Sequence, residues 1–342
     1  MAGEGVRVNR ESNRQVVLRR RPQGRMRAED LELIQGPVPS PGPGQLLVRT
    51  LWLSLDPYMR LRAAGHERYY PAVPLGEPMI AGAVSRVIAS NHPNFKPGDI
   101  VDDYTGWQDY AIAEGAAARK VDPSLGPLQT AIGVLGMPGL TAYLGLIDVG
   151  RPEPGDTVVV AAASGAVGSV VGQVAKIAGC RAVGIVGSRA KADFIRNELG
   201  FDEAIVHRED NVGAALDKAC PQGINVYFEN VGGAITEAVQ KRLAHRARVV
   251  VCGAVAEYDD ADAKLASPLQ HILFTEARIG GFNIFSYAAR YDDGRRRLAQ
   301  WYREGRLKQK DDIVDGLENA AGAYDRLFRG ENFGKLLVRV AE

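Results

Sequence analysis

The sequence predicts an α/β protein in which a small β-rich domain precedes a doubly wound parallel sheet of the Rossmann type. The first third of the chain alternates short apolar strands with turns rich in Pro and Gly. From about residue 139, apolar strands alternate with helix-length segments, as in a parallel sheet covered by helices on both faces. One strand enters a Gly-containing turn that opens a helix, and 342 residues are enough for two domains.

Short strand-like segments define the β-rich part. Residues 15–18 are apolar between arginines, and residues 45–53 follow a turn cluster at 37–44 in which prolines fix the backbone φ angle. Residues 80–88 and 99–102 show the same pattern. We expect a small barrel or sandwich from this region.

The second part alternates strands and helices. Its strands are predicted at residues 157–161, 181–186, 203–206, 226–229, 248–252 and 277–281. Helices are predicted at 190–199 and 235–243, and the chain closes with a helix at 317–328 and a strand at 335–340. This order favours a parallel sheet whose carboxyl edge binds the ligand.

The turn after the strand at 157–161 is the strongest functional signal. Gly165 lets the backbone approach a pyrophosphate, and Gly168 lets the helix pack closely on its strand. The helix N-terminus offers free N–H groups to the phosphates. Ala163 replaces the first Gly of the usual dinucleotide fingerprint, so a glycine-rich turn without a ligand stays the alternative.

The end of the next strand indicates which dinucleotide binds. An Asp or Glu about 20 residues past the glycines usually holds an unphosphorylated ribose. Here Ser188, Arg189 and Lys191 occupy that region without an acid, and a hydroxyl with two cations suits a 2′-phosphate. The sequence therefore predicts NADPH in preference to NADH, the alternative being a solvated basic turn.

Composition narrows the function classes. A formal net charge of +1 gives no global basic field for nucleic acid or anionic lipid. The three cysteines, Cys180, Cys220 and Cys252, are widely spaced and form no disulfide framework, which favours a reducing compartment. Residues 1–27 are polar and arginine-rich, unlike a signal peptide or membrane span. We expect a cytoplasmic protein.

A β-rich domain followed by a Rossmann domain resembles the medium-chain dehydrogenases/reductases, many of which hold zinc through Cys and His. Gly65-His66-Glu67 resembles part of their zinc signature, but that tripeptide should precede a Gly-x-Val strand, where Gly76-Glu77-Pro78 stands instead. The loop after residues 46–53 has no Cys, and no four-Cys cluster exists. We therefore predict no metal, which disfavours simple alcohol oxidation.

Six segments in order resemble the zinc-independent 2-alkenal/enone reductases, a group that includes prostaglandin reductases (leukotriene hydroxydehydrogenases), plant double-bond reductases and bacterial curcumin reductases. They are DPYMR at 56–60, GMPGLTAY at 136–143, AAASGAVGSVVGQVAK at 161–176, ENVGG at 229–233, CGAVAEY at 252–258 and NFGK at 332–335. The likeness runs from about residue 17 to residue 340.

This resemblance implies a GroES-like β-barrel catalytic domain at residues 1–134, completed by 309–342, and a Rossmann NADPH-binding domain at 135–308. It implies NADPH-dependent reduction of the C=C bond of α,β-unsaturated aldehydes or ketones, with hydride transfer to the β-carbon. A hydrogen-bond donor on the carbonyl oxygen would stabilise the enolate-like transition state. Pairing through the nucleotide domains would give a homodimer.

The resemblance also assigns residues. Tyr258 is the expected donor near the reacting carbonyl, with Tyr58 as second candidate or pocket wall. The other expected cofactor contacts are Ala163, Gly165, Ala166, Val167, Gly168, Ser188, Arg189, Lys191, Asn230, Cys252, Gly253, Ala254, Phe282, Ile284, Phe285 and Asn332. His207 stands where the family commonly has a Tyr that touches the 2′-phosphate; it could donate to the phosphate or be an ordinary exposed residue.

The sequence leaves two other functions open. A quinone oxidoreductase is the alternative enzyme, and it would lack the Cys-Gly-Ala-x-x-x-Tyr pattern that residues 252–258 contain. A non-catalytic NADPH-binding protein, like the lens crystallins built on related quinone reductases, is the alternative of a different class. Tyr58 and Tyr258 argue against it.

Overall fold

A computed structural model describes residues 12–65, 71–258 and 269–342 of the protein. Within these residues the chain forms two compact units. The first comprises residues 12–122 together with Ile313–Asp325 and Leu337–Glu342, and the second comprises Pro123–Asp312 and Arg326–Leu336, each without the gaps named above.

The secondary structure of the described residues is numbered in chain order. The strands are β1 Asn13–Leu18, β2 Leu31–Gly36, β3 Gln45–Ser54, β4 Ala83–Ser90, β5 Ile100–Asp103, β6 Tyr110–Glu114, β7 Arg119–Lys120, β8 Thr157–Ala161, β9 Arg181–Val186, β10 Glu203–Val206, β11 Ile224–Glu229, β12 Leu243–Val251, β13 Arg278–Gly281, β14 Asp311–Asp315 and β15 Lys335–Arg339. The helices are α1 Met59–Ala64, α2 Met137–Leu144, α3 Gly168–Ile177, α4 Arg189–Asn197, α5 Val212–Ala219, α6 Gly233–Gln240, α7 Leu269–Thr275, α8 Tyr291–Arg303 and α9 Ala320–Arg329.

The sheet of the second unit has the strand order β10-β9-β8-β11-β12-β13, and every neighbouring pair is parallel. This is the doubly wound order of dinucleotide-binding folds. Its central strand β8 is buried along its whole length because side chains pack on both faces of the sheet. The predicted α/β class with a Rossmann sheet is therefore confirmed.

The first unit contains a seven-stranded sheet and a two-stranded ribbon. The sheet runs β14-β15-β3-β4-β5-β7, and β6 pairs with β3. Strand β3 is antiparallel to β4, β6 and β15, and Leu46, Val48, Val87 and Val101 form part of an apolar cluster within the unit. The predicted domain limits near residues 134 and 309 remain a prediction; the compact units change over near residues 122 and 312.

The last strand of the parallel sheet is short and lies close to the predicted bounds of residues 277–281. Strand β13 spans Arg278–Gly281, and a 3-10 helix follows at Ile284–Arg290. Asn283 starts that helix because its side-chain Oδ1 accepts the N–H of Phe285 at 3.1 Å. The exposed sheet edge is therefore only four residues long.

Candidate cofactor-binding site

The turn between β8 and α3 has the features of a phosphate-binding loop. Ala162 adopts a left-handed conformation with φ 51°, and a Cβ atom on Gly168 would collide with the Ala162 carbonyl oxygen, so only glycine fits there. The backbone N–H groups of Ala166, Val167 and Gly168 donate to no acceptor in the described part of the chain. Free N–H groups at the start of a helix suit the pyrophosphate of a dinucleotide.

Two other predicted cofactor residues are anchored at this turn. Gly165 forms an isolated parallel bridge with Gly334, and Asn332 Nδ2 donates to the Gly334 carbonyl at 3.0 Å. Asn230 Nδ2 donates at 2.8 Å to the carbonyl of Ala161, the last residue of β8. The segments containing Asn230 and Asn332 therefore both lie beside the turn between β8 and α3, which we call the phosphate loop.

A cluster of basic side chains follows β9 and β10. Lys191 lies in α4, one turn after Ser188, and His207 and Arg208 follow the end of β10. Burial and then the charge of Arg208 lower the pKa values of both Lys191 and His207. We call Lys191, His207 and Arg208 the basic cluster. Sequence analysis did not include Arg208 in this site.

Arg189 behaves differently from the other predicted cations. Its Nε donates to Glu209 at 2.9 Å and its Nη2 donates to Asp210 at 2.9 Å. The side chain is 60% exposed. The acid partners of Arg189 come from the loop after β10, about 20 residues later in the chain, and the local sequence pattern does not predict this contact.

The segment after β12 returns beside the end of β11. The N–H groups of Cys252 and Gly253 donate to the Glu229 carbonyl at 3.0 and 3.2 Å. After Ala254, a single 3-10 turn leads to Tyr258, whose hydroxyl would lie 3.1 Å from a Cβ atom on Gly253. The Tyr258 phenol thus lies against the end of a parallel strand, where ligands bind in this fold.

Cys252 itself is an inert thiol in this setting. Burial, followed by the nearby Glu229 carboxylate, raises its pKa to about 12. The Glu229 carboxylate in turn accepts the N–H groups of Val231 and Gly232 at 2.6 and 3.0 Å, and the Thr236 hydroxyl. This network fixes the turn around Asn230.

The predicted cofactor contacts Phe282, Ile284 and Phe285 differ in how deeply they are buried. The Phe282 ring packs edge-on against Phe228, and Ile284 is buried in the core cluster of the second unit. Phe285 is exposed. Contact of these three residues with the cofactor stays a prediction.

Tyr58 belongs to the first unit, where it precedes α1. Its hydroxyl forms a short hydrogen bond with the hydroxyl of Tyr104, which follows β5, and the Arg62 guanidinium lies 6.0 Å from the centre of the Tyr104 ring. Burial raises the pKa of Tyr58, so the phenol is neutral at pH 7. Sequence analysis did not identify Tyr104 because its pairing with Tyr58 depends on the strand arrangement.

The described residues contain neither a cluster of metal-binding side chains nor a membrane-spanning helix. No group of three or more His, Cys, Asp or Glu side chains that could hold a metal occurs in residues 12–65, 71–258 and 269–342. His66 and Glu67 lie outside the described residues. No helix of the described chain has the length and apolarity needed to cross a membrane.

Comparison with known proteins identifies the family. Residues 14–121 match the family described as N-terminal domain of oxidoreductase, and residues 166–300 match the family described as zinc-binding dehydrogenase. The chain is 43% identical to the NADPH-dependent curcumin reductase of Escherichia coli over 338 residues, covering 97% of this chain and 98% of the relative. It is 37% identical to the NADP(+)-dependent 2-alkenal reductase of Nicotiana tabacum over 337 residues, covering 96% and 98%.

A solved structure gives the same result. The crystal structure of CurA in complex with NADPH from Vibrio vulnificus superimposes with a TM-score of 0.92 at 42% sequence identity, covering 96% of this chain and 99% of that chain. The agreement extends over both units' sequences rather than over the nucleotide-binding sheet alone. The chain therefore belongs to the medium-chain dehydrogenase/reductase superfamily, in its subfamily of 2-alkenal and enone reductases.

Proposed function

We propose that this protein is an NADPH-dependent reductase of the C=C bond in α,β-unsaturated aldehydes and ketones. The observation that carries this function is the 43% identity, over nearly the whole chain, to an NADPH-dependent curcumin reductase. A family member of 42% identity has been solved with NADPH, and the phosphate loop and basic cluster of this chain fit that cofactor.

The chain's own residues would bind and orient the cofactor. Bound NADPH would supply a hydride for the β-carbon of the substrate, and a proton from water would complete the reduction at the α-carbon. The free N–H groups of Ala166, Val167 and Gly168 would bind the pyrophosphate, and Asn230 and Asn332 would hold the neighbouring segments in place. This arrangement fixes the dinucleotide along the carboxyl edge of the sheet.

Tyr258 would donate a hydrogen bond to the substrate carbonyl. Negative charge grows on that oxygen as the β-carbon accepts hydride, and a fixed donor stabilises charge that develops in the transition state. A phenol is a donor at neutral pH, and Tyr258 lies against Gly253 just after β12. Tyr58 is the second candidate, as part of the pocket wall.

Replacing Tyr258 by Phe tests this role. We expect kcat for enone reduction to fall at least about fivefold while NADPH binding stays unchanged; this is below the roughly hundredfold loss typical of an oxyanion donor, because water or a ribose hydroxyl could replace the phenol. Tyr302→Phe is the matched control, since the Tyr302 hydroxyl forms no hydrogen bond within the described chain. Unchanged kcat and kcat/KM across several enones would limit Tyr258 to lining the pocket and make Tyr58→Phe the next test.

A substrate screen separates the competing functions. Medium-length enals, enones, curcumin-like diketones and simple quinones would each be offered with NADPH and with NADH, and the products identified. Saturated carbonyl products with NADPH support the proposal. Turnover of quinones alone would favour a quinone oxidoreductase, and binding without turnover of any of them would favour a crystallin-like role.

We also propose that the protein is a cytoplasmic homodimer. Strand β13 is at the edge of its sheet, and the nearby Leu273 and Phe274 in α7 are 73% and 70% exposed. An unpaired edge beside apolar side chains favours pairing with a second copy. Light scattering should give twice 36.9 kDa at micromolar concentration, and a mass of 36.9 kDa would refute the dimer.

The three cysteines support the cytoplasmic assignment. Cys180, Cys220 and Cys252 are all free thiols in the structure. Free, unpaired cysteines are typical of a reducing compartment. Fractionation of the source cells, followed by detection of the protein in the cytosolic or another fraction, tests this assignment directly.

A further inference from the structure

We infer that Arg208 is a specificity-determining residue for the cofactor, and that its guanidinium binds the 2′-phosphate of the adenosine ribose together with Lys191. The inference rests on the proposed function, because it assigns a further residue to NADPH binding. The sequence-based assignment gave this role to Ser188, Arg189 and Lys191, with His207 as a possible donor, and did not include Arg208.

Arg208 lies beside the end of β9. Gly187 comes directly after this strand, in the region where NAD-dependent relatives of this fold carry an acid for the ribose. A Cβ atom on Gly187 would lie 3.6 Å from His207 Nε2 and 3.8 Å from Arg208 Nε. The side chains of His207 and Arg208, which follow the end of β10, therefore both border the position of the ribose ligand.

Lys191 and Arg208 donate to carbonyl groups, and Asp312, the carboxylate whose charge raises the pKa of Lys191, is itself paired with Arg326 at 2.8 Å. Lys191 Nζ donates to the Gly330 carbonyl at 2.7 Å, and an Arg208 Nη donates to the Arg329 carbonyl at 2.8 Å. Neither side chain forms an ion pair with a carboxylate in the described part of the chain. Gathering like charges disfavours the charged forms, and burial together with Arg208 indeed lowers the pKa of Lys191. An anion bound among these groups would relieve that cost.

The two carbonyl contacts orient the cations without using up their donors. An ammonium has three N–H donors and a guanidinium has five, so each retains donors for a phosphate oxygen. The Arg329 and Gly330 carbonyls belong to the segment that contains Asn332. The same segment would therefore hold both the basic cluster and the phosphate loop in position.

Arg189 lacks this freedom because Glu209 and Asp210 each accept a hydrogen bond from its guanidinium. A phosphate at Arg189 would have to displace these carboxylates or lie beside them. Within residues 12–65, 71–258 and 269–342 the hydrogen-bond partner of Arg208 is a carbonyl, and a guanidinium can bind phosphate through two parallel hydrogen bonds. The geometry thus favours Arg208 over Arg189 as the phosphate ligand.

The test compares two nucleotide fragments that differ in the 2′-phosphate. Binding of 2′,5′-ADP and of 5′-AMP to the full-length protein is measured by isothermal titration calorimetry. Arg208→Gln should weaken 2′,5′-ADP binding about tenfold or more, the loss expected for a hydrogen bond to a charged group, and change 5′-AMP binding less than about twofold. Lys191→Gln should give a similar pattern, and Arg208→Lys an intermediate loss.

Arg196→Gln is the control for the lost charge, because Arg196 is an exposed arginine of α4, the helix that contains Lys191. It should leave both affinities within about twofold, since exposed charges away from the site are screened. Unchanged 2′,5′-ADP binding in Arg208→Gln, with wild-type preference for 2′,5′-ADP retained, would overturn the role of Arg208 alone. A wild-type protein that does not prefer 2′,5′-ADP over 5′-AMP would instead overturn the NADPH-dependent function.

Discussion

A buried carboxyl group in the first unit gives a prediction that can be worked through from the structure. Asp103 ends β5 and is 7% exposed. Its Oδ1 accepts the N–H and the hydroxyl of Thr105 at 3.2 and 2.5 Å, and the hydroxyls of Ser85 and Thr105 offset part of the effect of burial on its pKa. Burial raises the pKa of Asp103 from 3.8 to about 7. Asp103→Asn imitates the protonated form and keeps an acceptor for Thr105.

The sign of the effect follows from where the proton is bound. Between about pH 4 and pH 7 the folded protein keeps the Asp103 proton that the unfolded chain releases, so this group's contribution to stability is lost as pH rises through about 7. A pKa difference of about 3 at about 1.36 kcal/mol per unit gives up to about 4 kcal/mol. The Asn variant avoids this loss, so its advantage over the wild type should grow from pH 5 to pH 8.

Urea denaturation at pH 5 and pH 8 measures the free energy of unfolding of both proteins. Asp99→Asn is the matched control, because the ion pair of Asp99 with Lys120 at 2.9 Å lowers the pKa of Asp99 and its replacement should not stabilise the protein at pH 8. An Asp103→Asn variant that is less stable than the wild type at pH 8, or whose advantage does not depend on pH, would refute the reasoning.

Three further predictions concern the cofactor, the metal and the packing of the sheet. Burial, followed by the charges of Arg208 and Lys191, lowers the pKa of His207, so a bound phosphate should favour its protonation. The affinity for 2′,5′-ADP should therefore gain more between pH 7 and pH 5.5 in the wild type than in His207→Gln, and equal pH profiles in calorimetry would contradict this. Extended EDTA treatment should leave enone reduction unchanged, whereas a loss that zinc restores would mean that the reading of the zinc signature was wrong. Gly172→Ala should cost about 1–3 kcal/mol in urea denaturation because its Cβ would overlap the Phe201 ring, while Gly322→Ala in α9, where a Cβ meets nothing within 4 Å, should not destabilise; equal stabilities of the two variants would contradict the packing argument.

The parallel sheet was predictable because its central strands are runs of β-branched and small apolar residues between clear turns. Strands β8, β9 and β10 have the predicted bounds. Strand β12 begins at Leu243, five residues before the predicted start, because His245 and Arg246 interrupt the apolar run and hide its first half. The β11 to β12 register also shifts between Ile224 and Val226, which no local pattern reveals.

The candidate site was predictable in its position along the chain and less so in its side chains. Arg189 begins α4 after β9 and Arg208 lies in the loop after β10, and the sequence pattern assigns only Arg189 to the site. Their different roles depend on contacts between loops distant in sequence: Glu209 and Asp210 bind Arg189, and the Arg329 carbonyl orients Arg208. The same reason explains why the hydrogen bond of Tyr104 to Tyr58 was not foreseen.

Different residues stabilise the sheet and bind the cofactor, so substitutions in the loops can change cofactor choice without lowering the free energy of unfolding. Parallel strands place all their carboxyl ends at one edge, so the turns after β8 to β12 meet there whatever their side chains are. The sheet's stability comes from buried positions such as Val159 and Tyr227, whereas Ser188 and Arg208 lie beyond the strand ends and contribute little apolar burial. Substituting Ser188 or Arg208 should therefore change cofactor choice while leaving the free energy of unfolding within about 0.5 kcal/mol, as is usual for surface positions. A larger loss of stability in Arg208→Gln would mean that its hydrogen bond to Arg329 supports the fold as well as the cofactor.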